Sequence, residues 1–481
     1  MELTNKNIVL LTINAKWIHP SLALRLLKAN LGAIETEIEM SCEIIELNLR
    51  QSLPEKLEAL VAAKPGILGI SVSIWNHSET VNLLKALEEK KLAEKPVVIL
   101  GGAEVSHLPP QSEIFAFADY VVCGEGEAAF AELCGEILKN GVMRKNSPPV
   151  FIHAQPVATE KIKPAYHLYT DEDLAKKLIY VEASRGCPFS CAFCLSAVKN
   201  TPSGAGGTTR EFPVETFLAQ MDELVMRGAK TFKFLDRTFN SNTKRALQII
   251  DFFLQKIDER KEPPLVVHFE MVPFLFSSEL LNALARFPPG TLRLEIGLQT
   301  FKAQTAALIG RACKPAQELE TLRLLREKTN AIIHADLIAG LPGEDINSFA
   351  QGFDRLWDAL FANRPQSSIE IQVGILKLLP GAPIAKYNES HGMRYNPAPP
   401  YEVLETAAVS TLDIDRLKNF GRFWEMIVNR NLALSLVRNN VSGSVFWRFM
   451  ALSDFLAGRF GRNWGIDKNE LKKAIEEFEK E

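Results

Sequence analysis

Three cysteines within eight residues constrain this chain more than any other feature of its sequence. Cys187, Cys191 and Cys194 form a C-x3-C-x2-C pattern in the segment CPFSCAFC. Three thiolates at this spacing can ligate three irons of one cubic [4Fe–4S] cluster, whereas a fourth cysteine would close the site as an electron carrier. The next cysteine along the chain is Cys313. The pattern therefore predicts a cluster with one iron open to a small-molecule ligand.

Two other interpretations of the cysteines stay open at this point. Three close thiols also occur in structural zinc sites that take a distant fourth ligand. They also occur as buried, unreactive thiols. A zinc site usually shows a second Cys or His pair at short spacing. The sequence around the motif has none.

Composition limits the classes of protein to which the chain can belong. The chain has 481 residues. This is long enough for two to four domains of ordinary size. A net charge of −3 gives no basic excess, so we expect no nucleic-acid partner. No run approaches a membrane span, and the first residues lack the pattern of a signal peptide. Seven cysteines without an export signal indicate a reducing cytoplasm.

Residues 1–145 show the alternation of a doubly wound α/β domain. Apolar, strand-like runs alternate with helical segments, and such continuous apolar strands predict a parallel sheet that is buried on both faces. Ligands of this flavodoxin-like fold lie beyond the carboxyl ends of the strands. The predicted strands are Ile8–Ile13, Ile67–Ile74, Val97–Gly102 and Tyr120–Gly124.

The loops after these strands resemble those of cobalamin-binding domains. The matching segments are GISVSIWN (69–76), LGGAEVS (100–106) and GEGE (124–127). Their glycines let the backbone approach a large planar ligand. Alternatively, a generic flavodoxin-like fold uses the same glycines for tight turns. The resemblance implies cobalamin contacts at Trp75, Asn76, Gly101, Gly102, Glu104, Gly124, Glu125 and Gly126.

One departure from the common cobalamin pattern concerns the lower face of the cobalt. The sequence contains no Asp-x-His-x-x-Gly motif, whose histidine ligates cobalt in many such domains. The resemblance then implies cobalt without a protein imidazole, with the loop of Trp75 and Asn76 beneath it. In the alternative interpretation, Trp75 packs against a helix.

Residues 146–170 form a predicted linker, and residues 171–390 alternate strand and helix six times. This pattern predicts a partial (β/α)6 barrel whose chemistry lies at the carboxyl ends of the strands, where the cysteine loop follows the first one. The predicted strands are residues 177–183, 231–237, 265–272, 291–299, 331–341 and 368–376.

With the cysteine motif, this barrel resembles the core of radical S-adenosylmethionine (SAM) enzymes. The family often has a Gly-Gly-Glu run on the second strand, where this chain has LDRTFN, so Asp236 is selected there. HFEMVP, EIGLQTF, LIGRA and DLIAGLPGE resemble further family segments. The alternative for each selected residue is a polar side chain satisfied inside the barrel. The resemblance implies SAM contacts at Asp236, Glu270, Gln299, Arg311 and Asp336.

Residues 391–481 are predicted to form a helical C-terminal cap. Helix-like segments rich in Leu, Phe and Trp occupy 401–417, 421–436, 444–456 and 468–480. Their aromatic residues are expected to form a core, and the segment is a candidate lid over the barrel mouth.

The whole pattern resembles the cobalamin-binding radical SAM protein family. The resemblance implies a cytoplasmic enzyme with a [4Fe–4S] cluster, SAM and cobalamin, which methylates an unactivated carbon of an unknown substrate and receives electrons from a flavodoxin or ferredoxin. Three alternatives stay open: a non-methylating rearrangement or ring contraction, a radical SAM enzyme with a vestigial cobalamin domain, and a non-catalytic protein that binds SAM or the cluster.

Overall fold

A computed structural model describes residues 5–32, 41–141, 148–198, 207–260, 264–361, 369–432 and 443–480. Two compact units make up the chain. Unit 1 comprises Met1–Pro188, Leu195–Asp236 and Leu379–Gly381, and unit 2 comprises Phe189–Cys194, Arg237–Leu378 and Ala382–Glu481. The domain boundaries expected from sequence stay predictions.

Unit 1 contains ten described strands and six described α-helices. The strands are β1 (Ile8–Asn14), β2 (Glu43–Asn48), β3 (Ile67–Ser71), β4 (Val97–Gly101), β5 (Tyr120–Cys123), β6 (Val150–His153), β7 (Ile179–Val181), β8 (Ser184–Gly186), β9 (Thr209–Glu211) and β10 (Thr231–Phe234). The helices are α1 (Leu22–Leu31), α2 (Leu53–Ala62), α3 (His77–Glu89), α4 (Gly126–Asn140), α5 (Asp171–Lys176) and α6 (Val214–Met226).

The first six strands form one parallel sheet in the order β2-β1-β3-β4-β5-β6. Alternate residues of β1 belong to two separate hydrophobic cores, because successive side chains of a strand point to opposite faces. Helices α2 and α3 supply residues to one core, and α1 and α4 supply residues to the other. The predicted doubly wound α/β fold is confirmed.

Two strands of this sheet lie outside the predicted ones. Strand β2 has the sequence EIIELN, and its side chains are mostly half-exposed. Strand β6 pairs in parallel with β5 inside the segment predicted as a linker. Both are edge strands, so their sequences lack the continuous apolar run that marks a central parallel strand.

Unit 1 also contains the beginning of the second strand–helix series. Strands β7 and β10 pair in parallel. Between them in sequence, β8 and β9 form a short antiparallel pair in which Arg185 lies opposite Arg210. Cys187 follows directly after β8.

Unit 2 contains the rest of the described elements. Its strands are β11 (Val266–Met271), β12 (Leu292–Gln299), β13 (Ile332–Ala339), β14 (Ile369–Ile375), β15 (Arg394–Tyr395) and β16 (Val403–Glu405). Its α-helices are α7 (Thr243–Glu259), α8 (Ser278–Leu284), α9 (Ala303–Leu308), α10 (Pro315–Lys328), α11 (Ile346–Phe361), α12 (Thr411–Trp424), α13 (Val445–Phe460) and α14 (Lys468–Phe478). Strands β11 to β14 pair in parallel in chain order.

The strands of unit 2 confirm the parallel α/β pattern predicted for the barrel. Along β11 and β13, half-exposed residues alternate with buried ones. The buried residues point toward the helices, and the other face carries most of the polar side chains of these strands. Residue 368, where the predicted last strand begins, lies outside the described residues.

The C-terminal segment is helical, but it starts later than predicted. Residues 403–405 form β16, and α12 begins at Thr411 after its N-cap Ser410. A π-helical turn, Glu425–Asn429, follows α12, and residues 433–436 of the predicted second helix lie outside the described residues. Phe420 and Trp424 pack with Phe353 of α11, as expected for core aromatics. The lid role stays a prediction.

Asn429 closes the outer edge of β14. Its Oδ1 accepts from the Ile371 amide at 3.2 Å, and its Nδ2 donates to the Ile371 carbonyl at 3.0 Å. This satisfies backbone groups that an open sheet edge would leave exposed. Among the described helices, none is both long and apolar enough to cross a membrane.

Candidate functional site

The first sheet has a topological switch point at the carboxyl end of β1, where its winding reverses. Strand β1 lies between β2 and β3, so the connections leave it in opposite directions. Doubly wound sheets bind ligands at this switch point. The loops after β1 and β3 present Trp17 and Trp75, which are 45% and 53% exposed. Trp75 therefore has a large surface open to a ligand, and its cobalamin contact stays a prediction.

Asn76 lies beside Trp75 in the loop after β3, but its side chain is directed into the protein. It is fully buried. Its Oδ1 accepts from the Ser73 amide at 2.7 Å, and its Nδ2 donates to the Ile13 and Ser71 carbonyls at 3.1 Å each. The amide group thus joins the loops after β1 and β3, and the cobalamin contact expected at Asn76 stays a prediction. Asn76 holds the loop that presents Trp75.

In the loop after β4, the two glycines and the glutamate have different surroundings. A Cβ at Gly101 would meet only one atom within 4 Å, at 3.6 Å, so this backbone is open to close approach. Gly102 has φ +104°, and a Cβ there would lie 2.4 Å from the Val72 carbonyl oxygen. Glu104 is buried and lies 3.0 Å from Nδ1 of His77. The Glu104 carboxylate is directed toward His77, and its predicted cobalamin contact stays a prediction.

The GEGE loop after β5 directs its carboxylates toward two arginines. Glu125 accepts from Nη1 of Arg185 at 3.1 Å and from Nη2 of Arg210. Glu127 accepts from Nη2 of Arg185 at 2.5 Å. The Glu125 carboxylate is thus held by arginines, and the predicted cobalamin contact at Glu125 stays a prediction. Gly124 and Gly126 are half-exposed and remain candidates for backbone contact.

The segment before the cysteine loop is fixed by several buried groups. Asp236 accepts from the Ala183 amide at 2.9 Å and the Ser184 hydroxyl at 2.5 Å. Burial raises the pKa of Asp236 to about 6, although both hydrogen bonds oppose the shift. Gly186 has φ +90°, and a Cβ there would lie 2.3 Å from the Thr208 carbonyl oxygen. Asp236 thus orients the strand end that leads to Cys187, and its predicted SAM contact stays a prediction.

The three motif cysteines differ in environment from most of the others. Cys187, Cys191 and Cys194 are half-exposed, whereas Cys42, Cys123 and Cys134 are buried. None of the seven cysteines, all of which the structure describes, forms a disulfide. No group of three or more His, Cys, Asp or Glu side chains within the described ranges is arranged to hold a metal ion. The donor set nevertheless fits an iron–sulfur cluster, because three accessible thiols occur on one loop.

The SAM candidates on the strands of unit 2 share one face of the sheet. Glu270, Gln299 and Asp336 all occupy the half-exposed positions of β11, β12 and β13. Gln299 ends β12 with a positive φ of 69°. Such a conformation is uncommon for residues other than glycine. Their shared face and their place toward the carboxyl ends match the predicted SAM site. Their contacts with SAM stay a prediction.

Arg311 lies at the same end of β12 and has one unsatisfied donor. Its Nη2 donates to the Gly297 carbonyl and lies 3.7 Å from Oε1 of the fully buried Glu318. Its Nε is buried, and the described residues offer it no hydrogen-bond partner. A buried donor without a partner is costly, and a ligand carboxylate would satisfy it. The pairing of Arg311 with the SAM carboxylate stays a prediction.

Glu344 is a candidate residue of the functional site that the sequence did not indicate. It is buried directly after the predicted turn Gly340–Gly343, and Thr300 donates to its Oε1 at 2.6 Å. Burial raises its pKa to about 7, and its Oε2 has no partner among the described residues. The GLPGE run could have indicated Glu344, but a glutamate that follows a glycine turn is expected to be exposed.

His334 is a second candidate that the sequence did not select. It shares the polar face of the sheet with Glu270, because Glu270, Glu295, His334 and Glu370 occupy one cross-strand row. Its Nε2 lies 2.9 Å from Asp336. Burial opposes its protonation, but the hydrogen bond to Asp336 and the charges of Asp336 and Glu295 outweigh it, raising the pKa of His334 to about 9.

Two family models match successive parts of this chain. Residues 8–134 match the B12 binding domain, and residues 181–356 match the radical SAM superfamily. The chain therefore carries a B12 binding domain followed by a radical SAM domain. These domains imply cobalamin, a [4Fe–4S] cluster and SAM as cofactors.

Curated relatives match the chain over part of their length. An uncharacterised methyltransferase, PH0819 of Pyrococcus horikoshii, is 31% identical over 38% of this chain and 42% of its own length. The cobalamin-dependent radical SAM methyltransferase TokK of Streptomyces tokunonensis is 22% identical over 69% of this chain and 50% of its own. The chain thus spans about half the length of the curated relatives it matches.

Solved structures share the fold. The cobalamin-dependent SAM radical enzyme OxsB matches with a TM-score of 0.64 at 15% identity, over 99% of this chain and 75% of its own. The radical SAM methyltransferase TsrM of Kitasatospora setae, with cobalamin and a [4Fe–4S] cluster bound, matches with a TM-score of 0.58 at 17% identity, over 85% of this chain and 81% of its own.

Proposed function

We propose that this chain, which joins a B12 binding domain to a radical SAM domain, is a cobalamin-dependent radical SAM methyltransferase that acts on an unactivated carbon. The observation that carries the proposal is the order of the two domains, combined with three accessible cysteines on the loop after β8. The methyltransferases TokK and PH0819 support it as relatives. We also propose a cytoplasmic location and a flavodoxin or ferredoxin as electron donor.

When bound, the cluster supplies the electron for cleavage of SAM, and cobalamin supplies methyl transfer. Cys187, Cys191 and Cys194 would hold the cluster and leave one iron for SAM. Arg311 would bind the SAM carboxylate through Nε, and the amide and carboxylates on the β11–β13 face would bind its hydroxyl groups. The open Gly101 backbone and Trp75 would receive the corrinoid at the switch point of the first sheet.

The first experiment tests the cluster. Anaerobic reconstitution of the full chain should give about four irons, as a cubane held by three cysteines requires. Replacing Cys187, Cys191 and Cys194 with Ala should abolish the brown colour and the cleavage of SAM. Cys313→Ser is the matched control, since this half-exposed cysteine lies outside the motif. A cluster that survives the triple replacement would refute the assignment.

The second experiment tests the reaction. With SAM labelled at its methyl group, the enzyme should release both 5′-deoxyadenosine and S-adenosylhomocysteine and place one labelled methyl on its substrate. The two products report the two uses of SAM. Deoxyadenosine alone, with an altered but unmethylated product, would instead assign a rearrangement or ring contraction. A chain that retains no corrinoid would assign a radical SAM enzyme with a vestigial cobalamin domain.

A further inference from the structure

A buried network of charged side chains joins the loop after β5 to the strand that leads to Cys187. Arg185 donates to three glutamates: Glu125 at 3.1 Å, Glu127 at 2.5 Å and Glu182 at 2.6 Å. Each of the four side chains is only about a tenth exposed. All of these residues belong to unit 1.

Arg185 is the residue of this network that contacts both segments. Glu125 and Glu127 belong to the glycine-containing loop that begins α4, whereas Glu182 and Arg185 precede Cys187 in sequence. Arg210, opposite Arg185 on β9, adds a second guanidinium on Glu125. Glu125 occupies the N-cap position of α4, but its side chain makes no capping bond because the arginines hold it.

The chemistry of the network makes the two segments depend on each other. A guanidinium has donors in a fixed planar fork, so its partners keep defined positions. A shift of the GEGE loop would separate Glu125 or Glu127 from Arg185 and leave buried charges without their partners, which is strongly unfavourable. The positions of the GEGE loop and of the Cys187 backbone are therefore linked.

We infer that Arg185 is a positioning residue that couples corrinoid binding at the GEGE loop to cluster binding at the cysteine loop. The inference rests on the proposed function, because it needs both cofactors to bind. Coupling between two sites is reciprocal, so each cofactor should strengthen the binding of the other by the same factor. Corrinoid held against Gly124 and Gly126 would fix the glutamates, and these would fix Arg185 and the strand that leads to Cys187.

The test begins with the unmodified full chain. The dissociation constant of hydroxocobalamin is measured by quenching of tryptophan fluorescence, before and after anaerobic reconstitution of the cluster. We expect binding to become about tenfold tighter when the cluster is present, within the usual range for coupled sites. As the reciprocal measurement, bound hydroxocobalamin should slow the loss of iron to a chelator.

Variants then assign the coupling to Arg185. In Arg185→Met the effect of the cluster on corrinoid binding should fall below about twofold, and in Arg185→Lys it should be intermediate, because a lysine cannot serve three carboxylates with a planar fork. Glu127→Gln, which keeps the shape of the side chain, should also weaken the coupling and serves if Arg185→Met fails to fold.

Arg25 provides a matched control within the same unit. It is a buried arginine whose ion-pair partners, Glu46 at 3.0 Å and Asp173 at 2.7 Å, belong neither to the GEGE loop nor to the cysteine segment. Arg25→Met should lower stability while the coupling stays about tenfold.

Three outcomes would contradict the inference. If corrinoid and cluster both bind with independent affinities, the inference is wrong and the proposed function stands. If Arg185→Met keeps the full coupling, another contact carries it. If the chain binds no corrinoid at all, the proposed function fails, and the inference fails with it.

Discussion

Strands β1 and β13 have similar lengths and both lie inside parallel sheets, but they bury their side chains differently. All seven residues of β1 are buried, because helices cover both faces of its sheet. The eight residues of β13 alternate between half-exposed and buried, and both of its charged side chains, His334 and Asp336, lie on the half-exposed face. The first sheet, β1–β6, can therefore offer ligand-binding groups only at its end. The second sheet, which contains β11–β14, can also offer polar side chains on one of its faces.

This difference explains where the candidate residues lie. At the first sheet they occupy the loops after β1, β3, β4 and β5. On the second sheet they project from the strands themselves, as Glu270, His334 and Asp336 do. A ligand at the first sheet is thus positioned by loop backbone and glycines, and one at the second by side chains on rigid strands.

The largest expected effect concerns burial on the two sheets. Ile8→Ala in β1 removes a fully buried side chain. We expect it to lower the free energy of unfolding by about 3 kcal/mol. Ile338→Ala, on the half-exposed face of β13, is the matched variant. Its expected cost is about 1 kcal/mol. Urea unfolding checks both values, and equal losses would refute the proposed difference between the sheets.

The second effect concerns the loop after β4. Gly102→Ala places a Cβ against the Val72 carbonyl oxygen at a positive φ. We expect this strain to lower the free energy of unfolding by about 2 kcal/mol. Gly101→Ala adds a Cβ that would make only an ordinary contact with the Val122 carbonyl oxygen, at 3.6 Å. It should leave stability almost unchanged while reducing retention of hydroxocobalamin on desalting. Full retention in Gly101→Ala would show that the corrinoid does not approach this backbone.

The third effect concerns pH and the polar face of the second sheet. Because the pKa of His334 is raised from 6.5 to about 9, its imidazolium stabilises the folded chain fully below the unfolded pKa. This contribution is lost as the pH rises through the folded pKa, and we expect a loss on the order of 2 kcal/mol, reduced by the partial exposure of the ring. Unfolding measured across this pH window tests the assignment, with His334→Gln as the control that should lack this component. An identical pH profile in that variant would contradict the assignment.

The smallest effect on stability is expected at the end of the first sheet. Trp75→Ala removes an exposed side chain, so the free energy of unfolding should stay nearly unchanged. The variant should nevertheless weaken hydroxocobalamin binding and reduce the fluorescence change on binding. Trp464→Ala, at an exposed tryptophan of unit 2, is the control. Equal corrinoid affinities in the two variants would remove Trp75 from the site.

Much of the fold followed from the sequence because central parallel strands have distinctive apolar runs. IVLLTI predicted β1 to within one residue. The edge strands β2 and β6 were missed, since half-exposed edges carry polar residues and β6 lies among prolines. Because β2 was not predicted, the position of the switch point beside β1 was not predicted either. For the same reason, the exposed Trp17 in the loop after β1 was not selected.

The site could be predicted only as a set of segments. The glycine loops, and the placement of Glu270 and Gln299 on strands of the barrel, followed from pattern and resemblance. Asn76, Glu104 and Glu125 were selected through the resemblance of their loops to cobalamin-binding domains. In the structure, each side chain is bonded to other groups of the protein. A sequence does not show which way a loop carboxylate points.

The sequence by itself determined the two domains, their order and the cysteine motif, because these depend on local spacing and periodicity. Only the tertiary structure decided which polar groups are turned inward. It joined Arg185 to Glu125 and Glu127 across a long stretch of chain, as close as 2.5 Å. It also assembled the row around His334 from four strands. Such long-range electrostatic contacts depend on where the backbone returns, and no local pattern encodes that position.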